Sequence, residues 1–364
     1  MYKYEDIKQI HLEVTQRCNA SCPMCDRNEN GGAVNQHIRG NEQELSLEDC
    51  MDMFSPEFIR QLNTMYMCGN LGDPISARDS LEIFRYFRKH NPNMWLSMNT
   101  NAGAKTVDWW EELATVIGRK GAVIFSVDGL ENTNHLYRQG VRWEFVERNM
   151  KAFIAAGGRA RWDYLIFEHS ECDVDRAEQL AAEWGVEKFI RKKTGRFVKS
   201  DTNSTAKETH QAKDRKGNEK QTLAKPKKKE NINLALLKQE EIKKTYGSMK
   251  EYYDKCDIAC KVAKDGNLFI TAEGLVMPCC WTAGRMYKWW QPDPKVEQIW
   301  DFIDEVGGKD MLNAKYFGIK GVFDTGIMDN IQASWDKKSI EDGKLGVCAM
   351  KCGTEFDPFA EQFK

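Results

Sequence analysis

The chain predicts an α/β fold built on a parallel sheet, either curled as a partial barrel or laid out as a doubly wound sheet. Between residues 8 and 190, six short strand-like stretches alternate with five amphipathic helix-like runs. That order calls for parallel strands joined by right-handed crossovers. A change of composition near residue 200, followed by a cysteine-bearing segment, predicts a second and smaller module. In order, "QIHLEV" places Ile10, Leu12 and Val14 on one face with a period of two. "LNTMYMCG", "MWLSMN", "AVIFSV", "RWDYLIF" and "VEKFI" supply the remaining strands. The helical runs are "SLEDCMDMFSPEFIRQL", "DSLEIFRYFRKH", "VDWWEELATVIGR", "WEFVERNMKAFIAAGG" and "DVDRAEQLAAEWG", with Gly157–Gly158 as the stop of the fourth.

From Ser200 to Lys229 the only large apolar residue is Leu223, and lysines recur up to "KPKKK". Such a segment buries too little surface to offset its ordering entropy, so it reads as a mobile insertion. After Ile232 the pattern turns helical, and from Tyr252 the cysteine-bearing module begins. The expected division is 1–195, 196–250 and 251–364, without internal repeats.

The formal net charge of −2 over 364 residues gives no global bias towards nucleic acid or an anionic membrane. "MYKYEDIKQI" lacks the apolar region of a signal peptide, and no run approaches the length of a membrane span. A cytoplasmic location is expected. Twelve cysteines in a reducing compartment point to metal binding or catalysis before disulfides. Cys18, Cys22 and Cys25 form one group, and Cys256, Cys260, Cys279, Cys280, Cys348 and Cys352 another. Cys50, Cys68 and Cys172 are scattered and read as small buried hydrophobes.

The first group lies in "EVTQRCNASCPMCDRN", just after the first strand. A closed zinc site needs a fourth Cys or His at suitable spacing, and His37 lacks it. Three thiolates at three-then-two spacing instead suit an iron–sulfur cluster with one iron left open. After the second strand comes "CGNLGDP", where glycines allow close backbone approach to a ligand and Asp73 offers an acid to an ammonium group. The third strand ends in "MNTNAG", and the fourth in "FSVDGLENTNHLYRQG".

These segments, in this order, resemble the radical S-adenosylmethionine (SAM) superfamily. The resemblance spans residues 10–190 and implies a partial (β/α)6 TIM-type barrel. It also implies a [4Fe–4S] cluster on Cys18, Cys22 and Cys25, whose open iron holds the SAM amino and carboxylate groups. Met24 would contact adenine through its backbone. Gly69, Gly72 and Asp73 would take the SAM amino group, in a Gly-Asp-Pro where the family commonly has Gly-Glu-Pro. Asn99, Thr100 and Asn101 would bond ribose hydroxyls. Ser126 and Arg138 would hold the carboxylate, while Asp128 before glycine reads as shaping the turn.

The second group resembles the C-terminal extension called SPASM, or its shorter relative Twitch. "NLFIT" and "LVMP" flanking "AEG" predict a hairpin. The resemblance implies a second [4Fe–4S] cluster in this α+β domain, on Cys260, Cys279, Cys348 and Cys352, with Cys256 and Cys280 as neighbours able to substitute. Four thiolates also suit zinc. Trp281, Trp289, Trp290 and Trp300 are expected in the core more than in a substrate groove. No catalytic acid or base is assigned, and no histidine is given a catalytic role.

The expected activity is reductive cleavage of SAM, fed by an external flavodoxin- or ferredoxin-type donor. The resulting 5′-deoxyadenosyl radical would take hydrogen from the substrate. The auxiliary cluster would accept the surplus electron, for a net dehydrogenation or cross-link. A peptide or protein is the first expected substrate and a small alcohol the second. A nucleic acid, suggested only by the lysine-rich insertion, is the third. A metal-binding regulator without turnover would need none of the Gly-Asp-Pro, Ser-x-Asp-Gly and Tyr-Arg-x-Gly segments.

Overall fold

The first strand, β1 (Gln9–Leu12), sits inside a sheet and not at its edge. The computed structural model describes residues 1–197 and 208–359. Further strands are β2 (Thr64–Met67), β3 (Trp95–Thr100), β4 (Gly121–Ser126), β5 (Ala160–Ile166), β6 (Lys188–Lys193), β7 (Thr209–Lys213), β8 (Glu219–Ala224), β9 (Asn267–Ile270) and β10 (Val276–Met277). The main sheet runs β10-β9-β1-β2-β3-β4-β5-β6 and is parallel apart from β10. From β1 to β6 the strand order never reverses, whereas a doubly wound sheet reverses at its switch point. This order departs from the doubly wound arrangement and is the order that a partial barrel has.

The crossovers carry helices α1 (Leu47–Met53), α2 (Pro56–Gln61), α3 (Ser80–His90), α4 (Val107–Ile117), α5 (Asn134–Tyr137), α6 (Trp143–Ala155) and α7 (Val174–Trp184). The first expected helix is thus two. Ser55 caps a new start, accepting from Phe58 N, and Pro56 at its first position cannot donate back into α1. Helices α4, α6 and α7 pack on one face of the sheet. There Ile10, Leu12, Met65, Met67, Leu96, Met98, Val123 and Phe125 are buried. Trp110 of α4 and Phe153 of α6 meet Phe125, and Trp184 of α7 stacks on Trp162.

Strand alternation turns the other face polar. It carries His11, Ser97, Asn99, Ser126 and Asp163, with His11 stacked on Tyr66 of its neighbouring strand. Asp163 is paired with Arg161 and Lys192 on that face. The sheet therefore has a dry side that holds the helices and a polar side free to form a site.

Two further expectations are corrected. The C-terminal hairpin exists, but β9 pairs in parallel with β1, so the boundary at 251 divides one continuous sheet. The edge of β1 is covered this way, which removes a row of unpaired backbone groups. The lysine-rich insertion was expected to be structureless. Residues 200–207 of it lie outside the described residues, whereas β7 and β8 form an antiparallel hairpin. Composition underestimated it because only Ala212, Leu223 and His210 need be buried to dock it. Backbone N–H groups of Lys227 and Lys228 then bond the Glu171 carboxylate. Of the scattered cysteines, Cys50 is buried as expected, Cys68 is half-buried and Cys172 is exposed. Among the described residues no helix is long and apolar enough to cross a membrane.

Candidate functional site

The loop after β1 carries Cys18, Cys22 and Cys25, and a different strand end reaches each of them. Asn101 Nδ2, beyond β3, is 3.8 Å from Cys18 Sγ. Arg138 Nη1, from the segment after β4, is 3.9 Å from Cys22 Sγ. Asn70 O, after β2, is 3.9 Å from Cys25 Sγ. The motifs read separately in the sequence thus meet at one place. Burial pushes all three thiols up: Cys22 reaches about 11, the Arg138 guanidinium opposing the rise. Neutral, buried thiols around one loop are a donor set that ionises when it binds iron.

The glycine segment after β2 owes its composition to the protein's own backbone. A Cβ on Gly72 would lie 1.8 Å from Thr15 O, and one on Gly69 would lie 2.4 Å from Gly72 O. The expectation that these glycines admit a ligand is therefore incomplete, since Gly72 first admits the backbone of Thr15 and Arg17, and Gly69 admits Gly72 of its own turn. Glu13, one residue past β1 and 1% exposed, accepts from Leu71 N at 2.6 Å. Burial lifts its carboxyl to about 7, against the pull of backbone N–H groups of Leu71, Asn70 and Gly72. Sequence reading missed Glu13, although "EVT" before the cysteines marks it.

Asp73 is similarly occupied. Its Oδ1 accepts from Ile75 N at 3.2 Å and its Oδ2 from Asn101 N at 2.8 Å. It joins the β2 and β3 loops and keeps only its remaining lone pairs for a ligand. Asn99 faces the polar side, and Asn101 donates to Asn19 Oδ1 at 2.9 Å. Thr100 shares its face with Phe125, on the helix side, and its hydroxyl accepts from Ala102 N.

Ser126 closes β4 on the polar face. Asp128 does more than shape a turn. It is 1% exposed, its Oδ2 accepts from Arg138 Nε at 2.7 Å and its Oδ1 from Leu165 N at 2.8 Å. This fixes the guanidinium with its outer nitrogens towards Cys22. Met24 O accepts from Arg196 Nη1 at 2.7 Å, so its carbonyl is shared with a cation from beyond β6.

In the C-terminal module, Cys260, Cys279, Cys348 and Cys352 line one small apolar pocket, with Ile331 and Trp335 on its wall. The Cys260 and Cys352 sulfurs share a hydrogen bond that pulls Cys260 down to about 6 and pushes Cys352 up. Among the described residues, no three His, Cys, Asp or Glu side chains converge as a mononuclear metal site requires. The two neighbouring cysteines are elsewhere. Cys256 is buried against Tyr253 O and Ala349 O, at 3.6 and 3.9 Å, and Cys280 faces a different cavity.

That cavity, of about 250 Å³, lies between the first cysteine loop and the C-terminal module. Met24, Cys25 and Asn70 line one side, and Cys280, Trp281 and Lys351 the other. Trp289 and Trp290 also border it, which corrects the expectation that they and Trp281 are core. Trp300 is half-buried beside the core. Arg196, Arg285 and Lys288 complete the rim. The sequence placed Arg196 near the expected barrel mouth, but nothing in it marked Arg285, Lys288 or Lys351, which come from two other segments.

Residues 12–180 match the model of the Radical SAM superfamily. No curated protein is similar enough in sequence to count as a relative. Among solved structures, polyhistidine-tagged anSMEcpe with bound AdoMet shares the fold with a TM-score of 0.54 at 13% identity, over 98% of this chain and 91% of that one. Native anSMEcpe with bound AdoMet and Cp18Cys peptide gives 0.53 at 14% identity, over 98% and 94%. SuiB of Streptococcus suis aligns with a TM-score of 0.49 at 13% identity, over 80% of this chain. The chain spans 59% to 65% of the length of the SuiB chains it matches. Sequence match and shared fold together identify residues 12–180 as a radical SAM domain.

Proposed function

We propose that the protein cleaves SAM reductively and uses the radical to oxidise a peptide or protein substrate by dehydrogenation or cross-linking. One observation carries this reading. A single cavity is bounded by the Cys25 loop on one side and by the module holding Cys260, Cys279, Cys348 and Cys352 on the other. A substrate lying there touches Cys25 of the first loop, and Trp281, Val347 and Lys351, which line both spaces, stand between it and the four-cysteine pocket.

The residues divide the work. Cys18, Cys22 and Cys25 fit a cluster with one open iron, and the other four fit a fully ligated one. Bound by these residues and fed by a low-potential flavodoxin- or ferredoxin-type donor, a [4Fe–4S] cluster in the first site would supply the electron for cleaving SAM to methionine and a 5′-deoxyadenosyl radical. Arg138, aligned by Asp128, presents two donors to the SAM carboxylate, and Ser126 stands at the neighbouring strand end. Glu13 and Asp73 hold the glycine segment where the SAM amino group would sit. The tryptophans and the module wall exclude water from the cavity, which protects a radical from quenching. A cluster held in the four-cysteine pocket would accept the substrate's surplus electron. That anSMEcpe was solved with a peptide in a shared fold favours a peptide substrate. The cavity's small volume favours a second reading, oxidation of a small alcohol.

The test is anaerobic reconstitution with iron and sulfide, followed by SAM and dithionite. The protein should form 5′-deoxyadenosine, and Cys22→Ala should not. Cys348→Ala should retain substrate-free cleavage. A reconstituted protein that forms none refutes the proposal.

A further inference from the structure

We propose that the cavity between the two cysteine groups binds an anionic group of the substrate, a carboxylate or phosphate, on Lys351, Lys288 and Arg285. This rests on the reading above and deepens it by naming the chemistry of the substrate. The walls carry four cations, Arg196 among them, against one carboxylate, that of Asp26. Lys288 Nζ lies 3.4 Å from Asp26 Oδ2, and Arg285 Nη1 lies 3.6 Å from Glu297 Oε1 behind it. Arg196 donates to an uncharged carbonyl, that of Met24. Lys351 sits 4.2 Å from the Phe359 ring centroid, and among the described residues it has no ion-pair partner.

Holding several cations together in a partly desolvated space is costly unless an anion enters. Low-dielectric walls strengthen the field that attracts it. Two of these cations stand against aromatic faces, Lys288 over Trp290 at 4.3 Å and Lys351 over Phe359. Both ammonium groups are thereby held in place, with aromatic surface beside them for an apolar part of the ligand. Arg285, Lys288 and Lys351 belong to the C-terminal module, and Lys288 reaches Asp26, the residue after Cys25. An anion held among them lies beside the cysteine loop, which keeps the substrate next to the place where hydrogen removal would occur.

The SAM carboxylate is a competing anion, and cluster thiolates draw on the same cations. The test therefore uses reconstituted protein saturated with SAM, without reductant. Phenyl phosphate, phenylacetate and neutral benzyl alcohol are titrated in by anaerobic calorimetry. At least one of the two anions should bind tenfold or more tightly than benzyl alcohol. The tighter of the two tells whether the substrate bears a phosphate or a carboxylate. Lys288→Met and Lys351→Met should each weaken that binding roughly ten- to hundredfold, the usual effect of losing one charged hydrogen bond. If Lys351→Met loses iron because it adjoins Cys352, Lys288→Met alone decides. Equal binding of anions and benzyl alcohol, binding abolished by SAM, or affinity unchanged in Lys288→Met overturns the proposal. Formation of 5′-deoxyadenosine without anion binding would leave the reading above standing and remove only this one.

Discussion

Asp128→Asn separates a positioning role from a turn-shaping one. Asn keeps the shape, and its oxygen can still accept from Leu165 N. Its amide nitrogen, however, would face Arg138 Nε, donor against donor, where a carboxylate now accepts at 2.7 Å. Removing one partner of a buried ion pair costs about 3–5 kcal/mol. Asp128 is fully buried, but the Arg138 side chain is 19% exposed and can regain some water, so the lower end applies. Urea unfolding of the metal-free protein should show a loss of about 3 kcal/mol. The guanidinium would also lose its fixed direction towards Cys22. The fork proposed to hold the SAM carboxylate would be worth on the order of 1.5–3 kcal/mol, roughly ten- to hundredfold in affinity. Equilibrium dialysis of SAM against reconstituted protein measures this. Unchanged affinity would return Asp128 to a turn residue. Tighter binding would show that its charge competes with the carboxylate and refute positioning.

Reconstituted protein should carry about eight irons, four per cubane, and replacing Cys18, Cys22 and Cys25 together should remove half of them by colorimetric assay. Glu13→Gln tests the buried carboxyl. The folded protein keeps that proton to about pH 7 while the unfolded chain releases it near 4.5, so this group lowers stability as pH rises between the two values. The variant should flatten the unfolding free energy over that range by about 3 kcal/mol, and an identical pH profile would refute the assignment. Arg215, at the tip of the β7–β8 hairpin, donates to Ser21 Oγ at 3.0 Å and Asn19 O at 2.8 Å within the cysteine loop. Arg215→Ala should therefore release iron to a chelator several-fold faster, and an unchanged rate would show the hairpin to be a bystander. Gly72→Ala should abolish SAM binding while leaving the C-terminal iron, because its methyl would collide with the Thr15 carbonyl.

Much of the site was legible because its parts are local. Cysteine spacing is a property of one loop, Ser126 closes a strand that periodicity already marks, and Asp73 and Arg138 lie in short motifs within the loops that follow strands. The six strands followed from alternation for the same reason. Where local chemistry admits two uses, the residues alone misled. Asp128 before glycine reads as a turn, and only its distance to Arg138 shows the ion pair. Gly69 and Gly72 read only as ligand contacts, and the backbone that needs their lack of a side chain, Gly72 O against Gly69 and Thr15 O against Gly72, shows only in the fold.

What the sequence determined by itself was therefore the set of parts: strand and helix order, the two cysteine groups and the strand-end motifs. These depend on neighbours within a few residues, where backbone period and donor spacing act. Tertiary structure decided which parts face one another. Parallel pairing of β9 with β1 brings the second cysteine group to the first, joining segments far apart along the chain. That pairing also builds the cavity, gathering Arg196, Arg285, Lys288 and Lys351 from three distant segments into one field. Charge acts through space, whereas a sequence orders residues only along the chain.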